Sequence, residues 1–269
     1  MMLGGVSQAQ TAAPFHLDIA KESWITGAAL PIAGFSIYLD KKMKPLTQDQ
    51  IDLLDVSKIN GLDRFTTGNF SLKIAKRSDV VLWSSMGLGL ASAFVVPAIY
   101  SSTNSYGNQA GTISVMWLET NLVNFAFTEL AKTSFKRTRP FVYGDQAPDN
   151  LVFHTDARKS FFSGHASFTA TNSFFAASVI TSYQKGNKWN PVIWGAAALP
   201  PLLVAFQRVR AGKHFPTDVI TGYIFGAACG ILIPKLHEVK TSSQGDIKLG
   251  AGLTPDGIAV PLVHFKMVL

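Results

Sequence analysis

Charge is what this sequence has least of. Only 15% of its 269 residues are Asp, Glu, Lys or Arg, and 47% are hydrophobic, against about 25% charged in an average soluble domain. The shortfall requires either membrane contact or an unusually buried helical core. Acidic residues are the scarcer sign, 17 against 24 basic, which leaves a net charge of +7 and favours anionic partners. Nucleic acid is the weakest of these, because the chain has no zinc-ligand spacing, no RNA-binding signature and no long basic run. Cys229 is the only cysteine, so an intrachain disulfide is excluded; set in an apolar run, it reads as core. Internal repeats are missing too, and no second domain is evident.

What is present is a series of long apolar runs. Residues 1–20 read as a leader or signal remnant, with small residues up to Ala13 but no basic start and too short an apolar part. Residues 24–39 are mostly apolar, interrupted by Pro31 and slightly short of the roughly 17–25 residues a span needs. Residues 45–79 form a polar insertion, in which the periodicity predicts an amphipathic helix over 48–59 and Asp63 and Arg64 read as a loop ion pair. The uncharged stretch 80–100 is the best transmembrane candidate. A turn over 101–111 precedes a helix over 112–131, whose Glu119, Asn121, Asn124 and Glu129 must face the interior or the helix end. Further helices are predicted over 163–183, 189–206 and 216–234. Two apolar runs flanking Thr254-Pro-Asp-Gly257 read as a β-hairpin. The expected architecture is an all-α, membrane-embedded six-helix bundle over residues 21–240, followed by a short β-hairpin tail over 241–269.

Three polar islands interrupt the apolar sequence between Lys132 and Asp218. In the first, Lys132 and Arg139 are seven apart, which predicts one helix face ending near Pro140. Two stacked cations there suit an anion clamp; they equally suit a helix C-terminus or lipid headgroups. Lys136 and Arg137 read as solvated or headgroup-facing. In the second, Ser163 is a natural N-cap, Gly164 allows close backbone approach, and the N–H groups of such a helix start bind phosphate. His165 follows in the first turn, where capping gives no reason for a histidine. In the third, Pro216 suits a first helical turn, so Asp218 can reach back to His214, fix its tautomer and leave the other nitrogen free to attack. Arg208, six residues before His214, adds a phosphate contact. A metal on His165, His214 and Asp218 is disfavoured by the surrounding cations.

Together the islands resemble the three signature motifs of the type-2 phosphatidic acid phosphatase (PAP2) superfamily, which includes bacterial acid phosphatases and vanadium haloperoxidases. Lys132, Arg139 and Pro140 match the first motif. Ser163, Gly164 and His165 match the second, with Phe162 in place of its proline. Arg208, His214 and Asp218 match the third, with Gln207 in place of its serine. The two departures fall at supporting positions and bear on substrate preference more than on catalysis.

The resemblance implies a metal-independent phosphatase. His214 is the expected nucleophile, forming a phosphohistidine; Asp218 orients it, and His165 is the general acid and then base. Lys132, Arg139, Ser163, Gly164 and Arg208 are the expected phosphate ligands. No metal or other cofactor is expected. The expected partner is a phosphorylated lipid, such as phosphatidate or an undecaprenyl pyrophosphate, in a bacterial membrane with the site on the periplasmic side. A soluble periplasmic phosphatase or phosphotransferase for soluble esters is the runner-up. A non-catalytic membrane protein binding anionic lipid is the alternative of a different class.

Overall fold

The computed structural model describes residues 13–239, 247–253 and 259–265. The chain divides into two units, Met1–Glu238 and Val239–Leu269. The first is helical: α1 (Ile19–Lys41), α2 (Gln48–Asp52), α3 (Gly61–Arg64), α4 (Leu72–Tyr100), α5 (Thr103–Phe135), α6 (Asp149–Val152), α7 (Gly164–Tyr183), α8 (Asn190–Arg210) and α9 (Pro216–His237), with short 3-10 turns between. In the second unit, Ile247–Leu253 pairs antiparallel with Ala259–Phe265. The expected turn residues 254–257 lie outside the described residues, as do residues 1–12 of the expected leader. The rest of that leader is packed: Phe15 is 1% exposed in a core with Ile113, Met116, Phe175 and Tyr183, and Asp18 caps α1.

Among the described residues, six helices have 20 or more residues, and α7 is their hub, packing against α4, α5, α8 and α9. The reason lies in its side chains. Fifteen of its 20 residues are buried, and most are Ala, Ser, Thr or Asn; such small residues let helix backbones approach closely. The approach is closest to α9. Gly222, Gly226 and Gly230 face the carbonyls of Ser163, Ser167 and Thr171, and a Cβ at Gly226 would stand 2.0 Å from the Ser167 oxygen. The polar residues of α5 also turn inward: Trp117 and Asn121 bond Asn172, and Ser167 donates to Asn124.

The outer surface has the opposite character. Trp24, Phe35, Val80, Trp83, Leu199, Phe206, Ile224 and Leu236 are all exposed. Among the described residues, three helices, Leu72–Tyr100, Asn190–Arg210 and Pro216–His237, are long and apolar enough to cross a membrane. Small polar groups inside and large apolar groups outside are what contact with hydrocarbon requires.

Several local expectations are corrected. The helix predicted over 48–59 is only α2 plus a 3-10 turn at Val56–Lys58, because Asp55 caps Ser57 N–H and starts a new turn. The expected turn over 101–111 is helical from Thr103, its non-periodic sequence held by the buried Gln109, which donates to the Phe15 carbonyl and accepts from Tyr183. The first island does not lie on one helix: α5 stops at Phe135, Lys136 takes a left-handed conformation (φ 47°) and Arg139 is extended.

At the end of the bundle where the islands meet, three connections interlock. Phe141 N–H donates to the Gly212 carbonyl, Gly68 N–H to Pro140, and Ser71 N–H to Ala211. Gly212 (φ +68°) permits this, since a Cβ there would fall 1.5 Å from the Asn69 carbonyl oxygen.

Candidate active site

The interlocked loops and the ends of α4, α5, α7 and α8 enclose a cavity of about 380 Å³, lined by Lys132, Arg139, Gly164, His165, Arg208 and His214 among others. Six of the eight residues expected from the sequence therefore share one surface. The other two, Ser163 and Asp218, stand behind it, fully buried. Ser163 caps α7 through Ala166 N–H and donates its own N–H to the Asp218 carbonyl. Its hydroxyl accepts the Ala166 N–H at 3.4 Å, and the residue is not among those lining the cavity.

His214 sits in the α8–α9 turn. Its Nδ1 lies 2.6 Å from the Ser160 carbonyl oxygen. A carbonyl only accepts, so Nδ1 carries the proton and Nε2 keeps its lone pair. Burial lowers the pKa of this imidazole well below its ordinary value, and the charges of Arg139 and Arg208 lower it further. The ring is therefore neutral at neutral pH, with Arg139 Nη1 3.4 Å from Nε2.

Asp218 does not bond His214 directly, as the four-residue spacing led one to expect. Its Oδ2 is 3.9 Å from Nδ1; it accepts instead from Ser160 Oγ at 2.5 Å and Phe215 N–H at 2.9 Å. The carboxylate thus fixes Ser160 and the His214 turn, and the Ser160 carbonyl fixes the ring. The same carboxylate takes Arg137 Nη1, while Arg137 Nη2 reaches Asp63 at 2.7 Å. Arg137 is therefore no headgroup ligand. Asp63 is no partner of Arg64 either: it is buried and accepts from Arg137, Asn60 and both the N–H and hydroxyl of Thr217, whereas Arg64 donates to the Ser57 and Ile59 carbonyls. Burial alone would raise the Asp63 carboxyl, but Arg137 and Thr217 prevail and its pKa is lowered.

Arg139 is held from both sides of the cavity. It donates through Nε to the Asp156 carbonyl, through Nη1 to the Lys213 carbonyl and through Nη2 to Asp156 Oδ1. Burial pushes the Asp156 carboxyl up, yet Arg139, with Lys213 and Lys132, brings it down to about 2. Burial and the neighbouring Arg139 bring Lys213 down to about 8. Gly164 leaves room for Lys132, whose Nζ would lie 3.1 Å from a Cβ at that position.

His165 faces a partner the motifs do not contain. Its Nε2 lies 2.8 Å from Asp79 Oδ1 on α4, and Arg208 Nη1 is 3.8 Å from the same oxygen. Sequence reasoning missed Asp79, Asp156, Ser160 and Lys213 as well as Arg137 and Asp63. Asp79 had one signal, a carboxylate immediately before the uncharged apolar stretch 80–100.

Five cations, Lys76, Lys132, Arg139, Arg208 and Lys213, and two carboxylates, Asp79 and Asp156, thus surround a neutral imidazole of fixed tautomer. The class this defines is a helical protein with a buried histidine at a cation-lined cavity. Comparison points the same way: residues 114–242 match the sequence model of the PAP2 superfamily, a segment that contains all three islands. It is 29% identical to an undecaprenyl-diphosphatase of Sulfolobus acidocaldarius over 45% of this chain and 50% of that protein. It is 31% identical to phospholipid phosphatase 1 of Rattus norvegicus over 40% of this chain and 46% of that protein. The chain spans about half the length of these curated relatives. The crystal structure of Aquifex aeolicus LpxE aligns with a TM-score of 0.42 at 21% identity, over 68% of this chain and 99% of that one.

Proposed function

We propose that the protein hydrolyses a phosphomonoester or pyrophosphate on a lipid, without a metal at the reacting phosphorus, through a phosphohistidine at His214. The observation that carries the reading is the Nδ1–H of His214 committed to the Ser160 carbonyl, on a ring that lines a cavity with five cations. In the first step Nε2 attacks phosphorus; the P–N bond forms, the P–O bond to the leaving group breaks, and His165 gives that oxygen a proton. In the second, His165 takes a proton from water, the water oxygen attacks phosphorus, and the P–N bond breaks to return the lone pair to Nε2. Lys132, Arg139, Arg208, Lys213 and the N–H groups opening α7 hold the phosphoryl oxygens, where preorganised charge lowers the barrier most. Asp218 acts through Ser160 as a positioning residue.

A lipid substrate is supported by the apolar outer surface, by the exposed Leu72 at the cavity and by the names of the relatives. In this reading the six long helices form a membrane bundle, and the connections 42–71, 136–163 and 211–215 share one face; the family resemblance supports a periplasmic position for that face in a bacterial membrane. Labelling single cysteines at Asn150 and Asn187, both exposed, from each side of sealed vesicles tests the topology. Cys229 is buried and gives little background.

The reaction is tested with purified protein and micellar phosphatidate or undecaprenyl pyrophosphate. His214→Ala should release no inorganic phosphate, His165→Ala should slow both steps, and wild-type protein quenched during turnover should carry acid-labile, base-stable phosphate that His214→Ala lacks. Undiminished turnover in His214→Ala would sink the mechanism. Faster turnover of soluble esters than of any micellar lipid would move the substrate assignment to the runner-up.

A further inference from the structure

Far from the cavity, roughly 20 Å along α5 from Lys132, three helices bring one metal-binding side chain each to a common point. Glu22 comes from the first turn of α1, Glu119 from the middle of α5 and His237 from the end of α9. His237 Nε2 is 2.8 Å from Glu22 Oε2 and 3.3 Å from Glu119 Oε2, and the three ligand atoms lie within 4.8 Å of one another. For metal–ligand bonds of about 2.0–2.2 Å, neighbouring ligands stand about 3–3.5 Å apart.

The hydrogen bonding leaves a cation unaccounted for. His237 Nδ1 donates to the Ile233 carbonyl at 2.8 Å, which fixes the ring and turns Nε2 toward the two carboxylates. This is the outer contact that commonly orients a metal-bound histidine. A proton on Nε2 serves Glu22. Glu119, only 2% exposed, then keeps both carboxylate oxygens without a hydrogen-bond partner among the described residues. The adjacent cation does not supply one: Lys21 Nζ donates to the Leu236 carbonyl. A buried carboxylate normally has a partner or a bound cation.

We propose that Glu22, Glu119 and His237 bind one divalent transition-metal ion, with Zn²⁺ as the fitting chemistry, and that this ion clamps α1, α5 and α9 together. An imidazole with two carboxylates suits a first-row transition ion better than Mg²⁺. A cavity of about 400 Å³ beside Thr26, Val115 and Leu118 reaches Glu22 and Glu119. The role is structural and independent of the phosphate chemistry at His214.

The test uses untagged full-length protein in detergent, stripped with chelator and then dialysed against Zn²⁺, with Mg²⁺ as control; bound metal and thermal unfolding are read. The expected result is one Zn²⁺ per chain and a raised melting temperature, both retained in His214→Ala and both lost in Glu119→Gln. Because Gln at this buried position can impair folding, Glu22→Gln, at the more accessible helix start, is measured beside it with the same expectation. Wild-type protein that holds no Zn²⁺ after dialysis would overturn the proposal. So would a Glu119→Gln or Glu22→Gln protein that keeps wild-type metal content, or a Glu119→Gln protein as stable as the zinc-treated wild type, which would make the cluster a proton-sharing carboxyl pair beside an imidazole.

Discussion

Removing Arg137 should damage stability and turnover by separable amounts. Its guanidinium bridges two carboxylates with fully buried side chains, Asp63 and Asp218, while its own side chain is 27% exposed, and it stacks 4.2 Å from the Phe215 ring centre. Breaking a buried ion pair by deleting one partner costs about 3–5 kcal/mol. The partial exposure of Arg137, and the donors Ser160, Thr217 and Asn60 that remain on the carboxylates, place Arg137→Ala at the lower end, about 3 kcal/mol. Arg137→Lys keeps the charge, but one ammonium cannot present two parallel donors to two carboxylates, so about half that loss is expected to remain. Turnover falls for a different reason. Asp218 holds Ser160, whose carbonyl holds the His214 ring, and displacement of a reacting group by about 1 Å costs up to about 100-fold. Because Arg137 does not line the cavity, kcat should fall while KM holds. Denaturant unfolding in detergent and steady-state phosphate release measure the two effects. An Arg137→Ala protein with wild-type stability would refute the buried-pair argument. A normal kcat in a measurably destabilised protein would refute the chain from Asp218 through Ser160 to His214.

Three further outcomes follow from single contacts. Asp79→Asn removes the anion 2.8 Å from His165 Nε2 and one of the two carboxylates in the cation-lined cavity; kcat should fall about 10- to 100-fold, less than the roughly 10²–10⁴ lost with a general acid itself, while KM stays level or drops, and a raised KM with unchanged kcat would refute the positioning role. Lys213, brought down to about 8, loses its charge as pH rises through that value, so KM should climb above pH 8; Lys213→Arg should flatten the climb, and an unchanged alkaline limb would remove Lys213 from the phosphate ligands. Gly226→Ala places a methyl 2.0 Å from the Ser167 carbonyl and should cost about 1–3 kcal/mol by overpacking, although the same change in an exposed helix gains up to about 1 kcal/mol; a more stable variant in the same unfolding assay would show that α7 and α9 are not in backbone contact.

The residues that were legible in the sequence share one property: they are polar groups whose presence in a mostly apolar chain needs a reason. His165 stands out because capping gives no reason for it, and His214 because Asp218 follows it by four residues at a helix start; Gly164 and Arg208 are placed beside them by local spacing. What stayed hidden depends on contacts far along the chain or on backbone atoms. Arg137 is one basic residue among four in Lys132–Arg139, and nothing local separates it from a solvated lysine; its partners are 74 and 81 residues away. Ser160 acts on His214 through a carbonyl, a group every residue has. Pro140 points to a helix that runs up to Arg139, whereas the left-handed Lys136 ends it earlier and lets Arg137 and Arg139 leave in different directions, one to Asp218 and one to Asp156. The long helices were legible in outline because hydropathy reads runs. Their ends were not, since at Gln109 a buried hydrogen bond to the segment before α1 decides what periodicity leaves open. The sequence therefore exposes a site where the chemistry is costly to place and conceals the scaffold behind it, where ordinary groups acquire their roles only through the fold.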